Sequence, residues 1–91
     1  MRFEWDEAKA AANLKIHGVS FNEAVEVFFD PNAVEGFDAA HSNDENRFYI
    51  IGFSSRRLLY VVYAEKLQGE LIRIISARKA EDKKQKEYEE R

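Results

Sequence analysis

A predicted strand near the end of the chain carries side chains that are unusual inside a sheet. Residues 71–78 read Leu-Ile-Arg-Ile-Ile-Ser-Ala-Arg, so Arg73, Ser76 and Arg78 interrupt an otherwise apolar run. A guanidinium keeps its charge in proteins and must therefore reach water, a carboxylate or a bound anion. A second predicted strand also begins with cations, at Arg56 and Arg57. Cations displayed on a sheet suggest a binding surface for a polyanion.

The charges are distributed unevenly along the chain. The formal net charge is −3, which by itself argues weakly against binding to nucleic acid. Residues 1–45 carry a net charge of −7, residues 46–79 carry +5, and residues 80–91 carry −1. The basic middle segment contains both strands with arginines, and a local positive field attracts a phosphate backbone whatever the total charge is. This segment is therefore the expected polyanion-binding region.

The composition is that of one small globular domain. The chain has 91 residues, and hydrophobic residues make up 45% of them, which is enough for a core. It contains no cysteine, so disulfides and thiolate chemistry are excluded. No stretch approaches the roughly 18–20 apolar residues of a membrane span, and the N-terminus lacks an apolar signal region. We therefore expect a single domain over residues 1–91, no membrane contact and a cytoplasmic location.

Two helices are predicted in the N-terminal half, after a short edge strand over residues 1–5. Asp6 is a typical N-cap residue and Gly18 a typical C-terminal stop, so they delimit a helix over Glu7–His17. Ser20 and Glu23 have the spacing of a capping box, which begins a second helix. This helix ends before the Asp-Pro pair at residues 30–31, because the residue before a proline avoids the helical region.

The second half of the chain reads as a sheet followed by a helix. Strands rich in β-branched and aromatic residues are predicted at residues 47–53, 58–64 and 71–77, after a weaker strand at 34–40 and a polar loop at 41–46. Short links between the later strands favour antiparallel hairpins. Residues 81–91, within a charged segment over 79–91, form a helix with one large apolar side chain, Tyr88, which predicts loose docking.

The predicted fold class is therefore α+β. It consists of a small antiparallel sheet, two N-terminal helices packed on one face, and a C-terminal helix. The other sheet face is expected to be partly exposed and to carry the arginines.

An ordered series of short motifs resembles the BrnT family of toxins over nearly the whole chain. The first half carries Phe-Glu-Trp-Asp-Glu-Ala-Lys at residues 3–9, Asn-Leu-Lys-Ile-His-Gly-Val-Ser-Phe at 13–21 and Phe-Phe-Asp at 28–30. The second half carries Glu-Asn-Arg at 45–47, Val-Val-Tyr at 61–63 and Arg-Ile-Ile-Ser-Ala-Arg at 73–78. No single motif is decisive, but the ordered set is specific.

The resemblance implies a RelE-like fold and the function of a toxin in a type II toxin–antitoxin module. Such a toxin cleaves RNA, inhibits translation and growth, and is neutralised by a BrnA-like antitoxin whose ribbon-helix-helix fold binds promoter DNA. The toxin would reach that DNA only through the antitoxin. Because ribbon-helix-helix proteins are dimers, a higher-order assembly with two toxins is also implied. One departure is that family members often carry a Glu-Arg pair early in the last helix, where this chain reads Glu81-Asp-Lys-Lys84.

RNA can be cleaved without a metal when its own 2′-hydroxyl attacks the adjacent phosphate. Arginines stabilise the negative charge that develops, while His, Lys, Glu or Tyr transfer the protons. We expect catalytic roles for Arg57, Arg78 and His17. The alternative for each arginine is an ion pair with a glutamate on a helix, and for His17 it is a cap at the helix end. Isolated histidines and scattered acids form no metal-ligand pattern, so neither a metal nor another cofactor is expected.

Four further residues are expected to bind the substrate: Lys15, Arg47, Arg73 and Ser76. Arg73 and Arg78 are five positions apart, so a regular strand places them on opposite faces. They can line one groove only if a bulge or a strand end lies between them. Arg73 therefore has the alternative of a structural or antitoxin-facing role, and Lys15 that of a solvated helix residue.

The positions of three aromatic residues relative to the core can also be predicted. Trp5 is expected in the core, with stacking on an unpaired base as the alternative. Tyr60 and Tyr63 have opposite parity, so one is expected to face the core and the other the exposed face.

The alternatives to a ribonuclease are a catalytically inactive module that binds RNA or the antitoxin, and a subunit that only docks a protein partner.

Overall fold

The computed structural model describes residues 1–42 and 45–91. Within these residues, five strands and three helices follow one another: β1 (Arg2–Glu4), α1 (Glu7–His17), α2 (Phe21–Val27), β2 (Val34–Phe37), β3 (Arg47–Phe53), β4 (Leu58–Lys66), β5 (Leu71–Lys79) and α3 (Asp82–Glu89). The predicted bounds of α1 and β3 are confirmed, whereas β4 and β5 extend two residues beyond their predicted ends. The predicted loop at residues 41–46 includes residues 43 and 44, which lie outside the described residues.

The strands form one sheet in the spatial order β1-β5-β4-β3-β2. The pairs β3–β4 and β4–β5 are antiparallel, as the short links predict, and β2–β3 is antiparallel as well. The edge strand β1 pairs with β5 in parallel, so the sheet is mixed rather than wholly antiparallel. The short-link argument does not apply to this pair, because β1 and β5 are joined through all the intervening elements rather than by a hairpin. The predicted α+β class is confirmed.

The helices α1 and α2 cover one face of the sheet, which we call the helix face. Trp5 is half-buried there and packs edge-on against Phe21, with ring centroids 5.9 Å apart, so its predicted place in the core is confirmed. The buried members of this core come from α2, from the segment before it and from three strands: Val19, Phe21, Ala24, Val27, Ile50, Leu59, Val61, Tyr63, Ile72, Ile74 and Ala77.

The ends of α1 and α2 follow the predicted capping residues. The Asp6 side chain accepts a hydrogen bond from the Lys9 backbone N–H at 3.1 Å. Gly18 adopts a left-handed conformation with φ of 70°, which costs glycine little because it has no Cβ. The Ser20 hydroxyl accepts a hydrogen bond from the Glu23 backbone N–H at 3.0 Å. Local sequence therefore determines where both helices begin.

Helix α1 is anchored by a polar side chain rather than by an apolar stripe. Among its residues, the buried side chain is that of Asn13, only 7% exposed, whereas Leu14 and Ile16 face solvent. The Asn13 Nδ2 donates to the carbonyl oxygens of Val19 at 2.9 Å and of Ala77 at 2.8 Å. Its Oδ1 accepts from the Ala77 backbone N–H at 3.1 Å. Asn13 thus ties α1 to β5.

Helix α3 packs on the opposite face of the sheet. Its Tyr88 is 8% exposed and forms a small second core with Ile51 and Ala80. The Tyr88 hydroxyl donates to the Asp30 carboxylate at 2.8 Å, and its ring meets Phe53 edge-on at a centroid distance of 5.4 Å. Tyr88 therefore docks α3 over one part of this face. We call the remaining part, which spans β3, β4 and β5 between Arg47 and Arg78, the open face.

A β-bulge in β5 decides which side chains reach the open face. Tyr60 lies opposite Arg78 and Val62 opposite Ser76, but the next regular pair is Tyr63 with Ile74, so Ile75 is an extra residue on β5. The extra residue inverts the alternation along the strand. Arg73, Ser76 and Arg78 therefore share the open face. A bulge between Arg73 and Arg78 is what allows both arginines to line one surface.

Replacing Asn13 by alanine is expected to destabilise the fold, because the buried backbone groups of Val19 and Ala77 lose their partner. The expected loss is about 2–3 kcal/mol of unfolding free energy, or roughly 10–20 °C in melting temperature. Thermal unfolding followed by circular dichroism measures this change. Asn22→Ala is the matched control, since Asn22 is exposed on α2 and should stay within about 0.5 kcal/mol of wild type. Equal melting temperatures for both variants would contradict the anchoring role of Asn13.

Candidate functional site

The open face carries a cavity whose lining includes two arginines and three other polar side chains. Its volume is about 200 Å³. The lining combines two arginines, a tyrosine, a serine, an aspartate and two aliphatic residues: Arg47, Arg78, Tyr60, Ser76, Asp38, Val62 and Ile75. Guanidinium and hydroxyl donors that converge on one concave surface can bind a phosphate group.

The cavity brings together three of the residues selected from sequence, namely Arg47, Ser76 and Arg78. They come from two strands that are not neighbours, since β4 lies between β3 and β5. Arg73 lies on the same face, opposite Ala64, but does not line the cavity. The bulge at Ile75 is therefore what places Arg78 and Ser76 on the same face as Arg47.

Tyr60 forms the cavity wall beside Arg78. The guanidinium carbon of Arg78 lies 5.6 Å from the centre of the Tyr60 ring, a cation–π arrangement. Burial raises the pKa of Tyr60, the charge of Asp38 raises it further, and the charge of Arg78 lowers it. The phenol therefore stays protonated at neutral pH and can donate a hydrogen bond. Tyr63 lies in the core of the helix face, which confirms that the two tyrosines face opposite sides.

Arg57 is engaged in a network at the end of the β3–β4 hairpin. Its Nε donates to Glu23 Oε2 at 3.0 Å, and a terminal nitrogen donates to Glu23 Oε1 at 2.9 Å. The same nitrogen donates to the Gly18 carbonyl at 2.9 Å. These bonds join the hairpin to the start of α2 and the end of α1. The geometry corresponds to the alternative of an ion pair with a helix glutamate, and the catalytic role of Arg57 stays a prediction.

Glu23 is the acceptor at the centre of this network, and it is 8% exposed. It also accepts from the Ser54 hydroxyl at 2.8 Å, while a nitrogen of the exposed Arg56 lies 3.7 Å from Oε1. The hydrogen bonds from Arg57 lower the pKa of Glu23 despite the opposing effect of burial, and Ser54 adds to the lowering. Because its carboxylate binds Arg57 and Ser54, Glu23 stabilises the hairpin end in its ionised form.

His17 and Lys15 lie on the last turn of α1, and both residues are exposed. Neither residue lines the two cavities to which Arg78 contributes. The structure therefore does not bring His17 and Arg78 into one site. The catalytic role of His17 and the substrate-binding role of Lys15 stay predictions.

Helix α3 adds a lysine to the open face that sequence reasoning did not select. The Lys84 Nζ lies 4.6 Å from the centre of the Tyr49 ring and 4.8 Å from that of Tyr60. It is 3.6 Å from Glu87 Oε1, and Glu87 Oε2 accepts a hydrogen bond from the Tyr49 hydroxyl. That hydrogen bond, together with burial, raises the pKa of Tyr49 to about 12. Tyr49 and Tyr60 share this face because the β3–β4 register pairs Tyr49 with Val62 and Ile51 with Tyr60. The sequence signal is limited to one tyrosine on each of two neighbouring predicted strands.

Two kinds of feature are absent from the part of the chain that the structure describes. Residues 1–42 and 45–91 contain no group of three or more histidine, aspartate or glutamate side chains that could hold a metal ion. Over the same residues, no helix is both long enough and apolar enough to cross a membrane.

A small α+β domain with a cationic cavity on one sheet face has the features of a polyanion-binding protein. Residues 5–84 match the family described as ribonuclease toxin, BrnT, of type II toxin–antitoxin system. Since the match spans most of the 91 residues, the chain belongs to the BrnT family, as its motifs indicate. Members are ribonuclease toxins, so the substrate is RNA and the partner is an antitoxin. A comparison with curated proteins finds no match.

Removing the Arg57 side chain is expected to destabilise the fold, because the buried Glu23 carboxylate loses its main donor. The expected loss at neutral pH is about 1.5–3 kcal/mol of unfolding free energy. Because folding lowers the pKa of Glu23, this stabilisation is present above the unfolded value of 4.5 and is lost as pH falls through the folded value. Urea unfolding of wild type and Arg57→Ala should therefore show a difference that shrinks in acid.

Arg56→Ala provides the matched control for this prediction. The Arg56 side chain is 70% exposed and lies 3.7 Å from Glu23, so its removal should change stability by about 0.5 kcal/mol or less. An Arg57→Ala protein that is as stable as wild type but fails to cleave RNA would instead support the catalytic assignment of Arg57.

Proposed function

We propose that this toxin is a metal-independent endoribonuclease that cleaves RNA on the open face of its sheet. In this proposal it acts in the cytoplasm, where RNA cleavage inhibits translation and growth. The observation that carries the proposal is the convergence of Arg47, Tyr60, Ser76 and Arg78 on one cavity of about 200 Å³. These groups offer positive charge and hydrogen-bond donors to a phosphodiester without requiring a metal.

The proposed reaction is an internal displacement at phosphorus. The 2′-hydroxyl of one nucleotide loses its proton, and its oxygen forms a bond to the adjacent phosphorus. The bond between phosphorus and the 5′-oxygen of the next nucleotide breaks, and that oxygen takes up a proton. The products are a 2′,3′-cyclic phosphate and a 5′-hydroxyl. Negative charge increases on the phosphoryl oxygens in the transition state, so a fixed guanidinium accelerates the step.

We assign a role to each group in the cavity. Arg78 contacts the scissile phosphate, since its guanidinium is placed beside Tyr60 by the cation–π contact. The protonated Tyr60 phenol donates to the phosphate or to the leaving oxygen. Arg47 and Ser76 hold the neighbouring part of the backbone, and the Asp38 carboxylate, which lines the same cavity, accepts the proton of the 2′-hydroxyl.

The proposed partner is a BrnA-like antitoxin with a ribbon-helix-helix fold. Such antitoxins are dimers, so each would bring two toxin chains together, and the toxin would reach promoter DNA only through this assembly. Light scattering of the co-purified complex is expected to give the mass of two toxins with two antitoxins or of a larger symmetric assembly. The mass of a one-to-one heterodimer would contradict this stoichiometry.

The first experiment uses purified toxin freed of antitoxin, a long single-stranded RNA and a chelator. Wild type is expected to produce fragments with 5′-hydroxyl ends and cyclic or 3′-phosphate ends. Arg78→Ala should slow cleavage by about 100- to 1000-fold, the usual cost of removing one donor to a developing negative charge. Its melting temperature should not change, because Arg78 is exposed. Mapping of the product ends and single-turnover rates measure both effects.

Lys9→Ala is the matched control, because it removes the same charge from an exposed position on α1. Arg78→Ala cleaving at the wild-type rate would refute the role of Arg78. No cleavage by a folded wild-type protein that binds its antitoxin would favour a nuclease that needs the ribosome or a catalytically inactive binding module.

A further inference from the structure

A second cavity adjoins the first on the open face, between β5 and α3. Its volume is about 220 Å³, and its lining residues are Tyr60, Arg78, Lys79, Glu81, Lys83 and Lys84. Four of these are cations and one is an acid, so the cavity has a strong positive bias. Tyr60 and Arg78 line both cavities and therefore form the wall between them. A ligand that extends past Arg78 in this direction enters a site contributed by α3.

Lys84 is a cation of this second cavity that several contacts hold in place. A lysine on a surface helix usually extends a flexible side chain into water. Here the Nζ lies over two aromatic rings, at 4.6 Å from the centre of Tyr49 and 4.8 Å from that of Tyr60. Glu87, one turn further along α3, lies 3.6 Å away and is itself held by the Tyr49 hydroxyl. A cation fixed in this way loses less conformational freedom when it binds an anion.

The chemistry of the second cavity favours a phosphate over a base. Both Arg78 and Lys84 lie near the Tyr60 ring, at 5.6 and 4.8 Å from its centre. A nucleobase would have to displace one of these cations in order to stack on the ring, whereas a phosphate would interact with both of them. The ligand class that suits the arrangement is therefore a second phosphodiester on the same strand.

We propose that α3 supplies a second phosphate subsite, in which Lys84 binds the phosphodiester next to the one held by Arg78. This inference rests on the proposed ribonuclease function, since it takes Arg78 as the site of the reacting phosphate. Tyr49 and Glu87 act as positioning residues for Lys84. The terminal helix is then part of the substrate groove, and a substrate must extend at least one phosphate beyond the scissile one to use the site fully.

The experiment measures binding of 2′-O-methyl oligonucleotides, which cannot be cleaved by 2′-oxygen attack, with one, two or three phosphodiesters. Lys84→Met keeps an apolar side chain over the rings but removes the charge. It is expected to leave affinity for one phosphodiester unchanged and to weaken binding several-fold once a second is present. The slope of log affinity against log salt should fall by about 0.7 for the longer ligands. Lys84→Arg should restore most of the affinity.

Lys86→Met is the matched control, because Lys86 is an exposed lysine of α3 that does not line this cavity. It should match wild type with every ligand. If Lys84→Met weakens the binding of all ligand lengths equally, Lys84 has a structural role and the subsite is overturned. If Lys84→Met weakens the binding of none of them, the subsite is overturned as well. Lys84→Met could weaken binding only of the longer ligands while wild type cleaves no RNA in chelator. In that case the proposed reaction fails, but the second phosphate subsite stands.

Discussion

The hydrogen bonds between Asn13 and the backbone of Ala77 couple the two sides of this molecule. β1 pairs only with the first part of β5, so the outer edge of β5 beyond Arg73 needs another partner. Asn13 supplies it, because its amide binds both the N–H and the carbonyl of Ala77. The next residue, Arg78, projects from the opposite face. Asn13 of α1 therefore holds the edge of β5 next to the position from which Arg78 projects.

A single extra residue in β5, Ile75, places the polar side chains of this strand on the face that carries the candidate active site. Side chains alternate along a regular strand, and the alternation would place Arg73 and Arg78 on opposite faces. The bulge at Ile75 inverts it, so the apolar positions before and after the bulge still face the helices, with Ile74 and Ala77 both in the core. The bulge thus reconciles a continuous core on one face with a cationic cavity on the other.

Two arginines near the ends of strands have different roles because their surroundings differ. Arg57 donates to Glu23, a carboxylate with a side chain that is 8% exposed and a pKa that these hydrogen bonds lower. Among the described residues, Arg78 forms no ion pair with a carboxylate, and its guanidinium lies beside the Tyr60 ring at the edge of two cavities. A guanidinium engaged by a carboxylate holds structure together, whereas one beside an aromatic ring still has donors for a substrate phosphate.

Sequence alone determined what depends on neighbours a few residues away: the bounds of α1, the caps at Asp6, Gly18 and Ser20, the hairpin strands and the motifs of the BrnT family. It also identified Arg47, Ser76 and Arg78, whose charge or polarity stands out in a strand. Tertiary structure decided which of these side chains meet. The bulge, the pairing of Arg57 with Glu23 and the docking of α3 beside Tyr60 all join residues far apart in the chain. Such contacts depend on strand register and on which face a helix covers, and no local pattern of residue types encodes either.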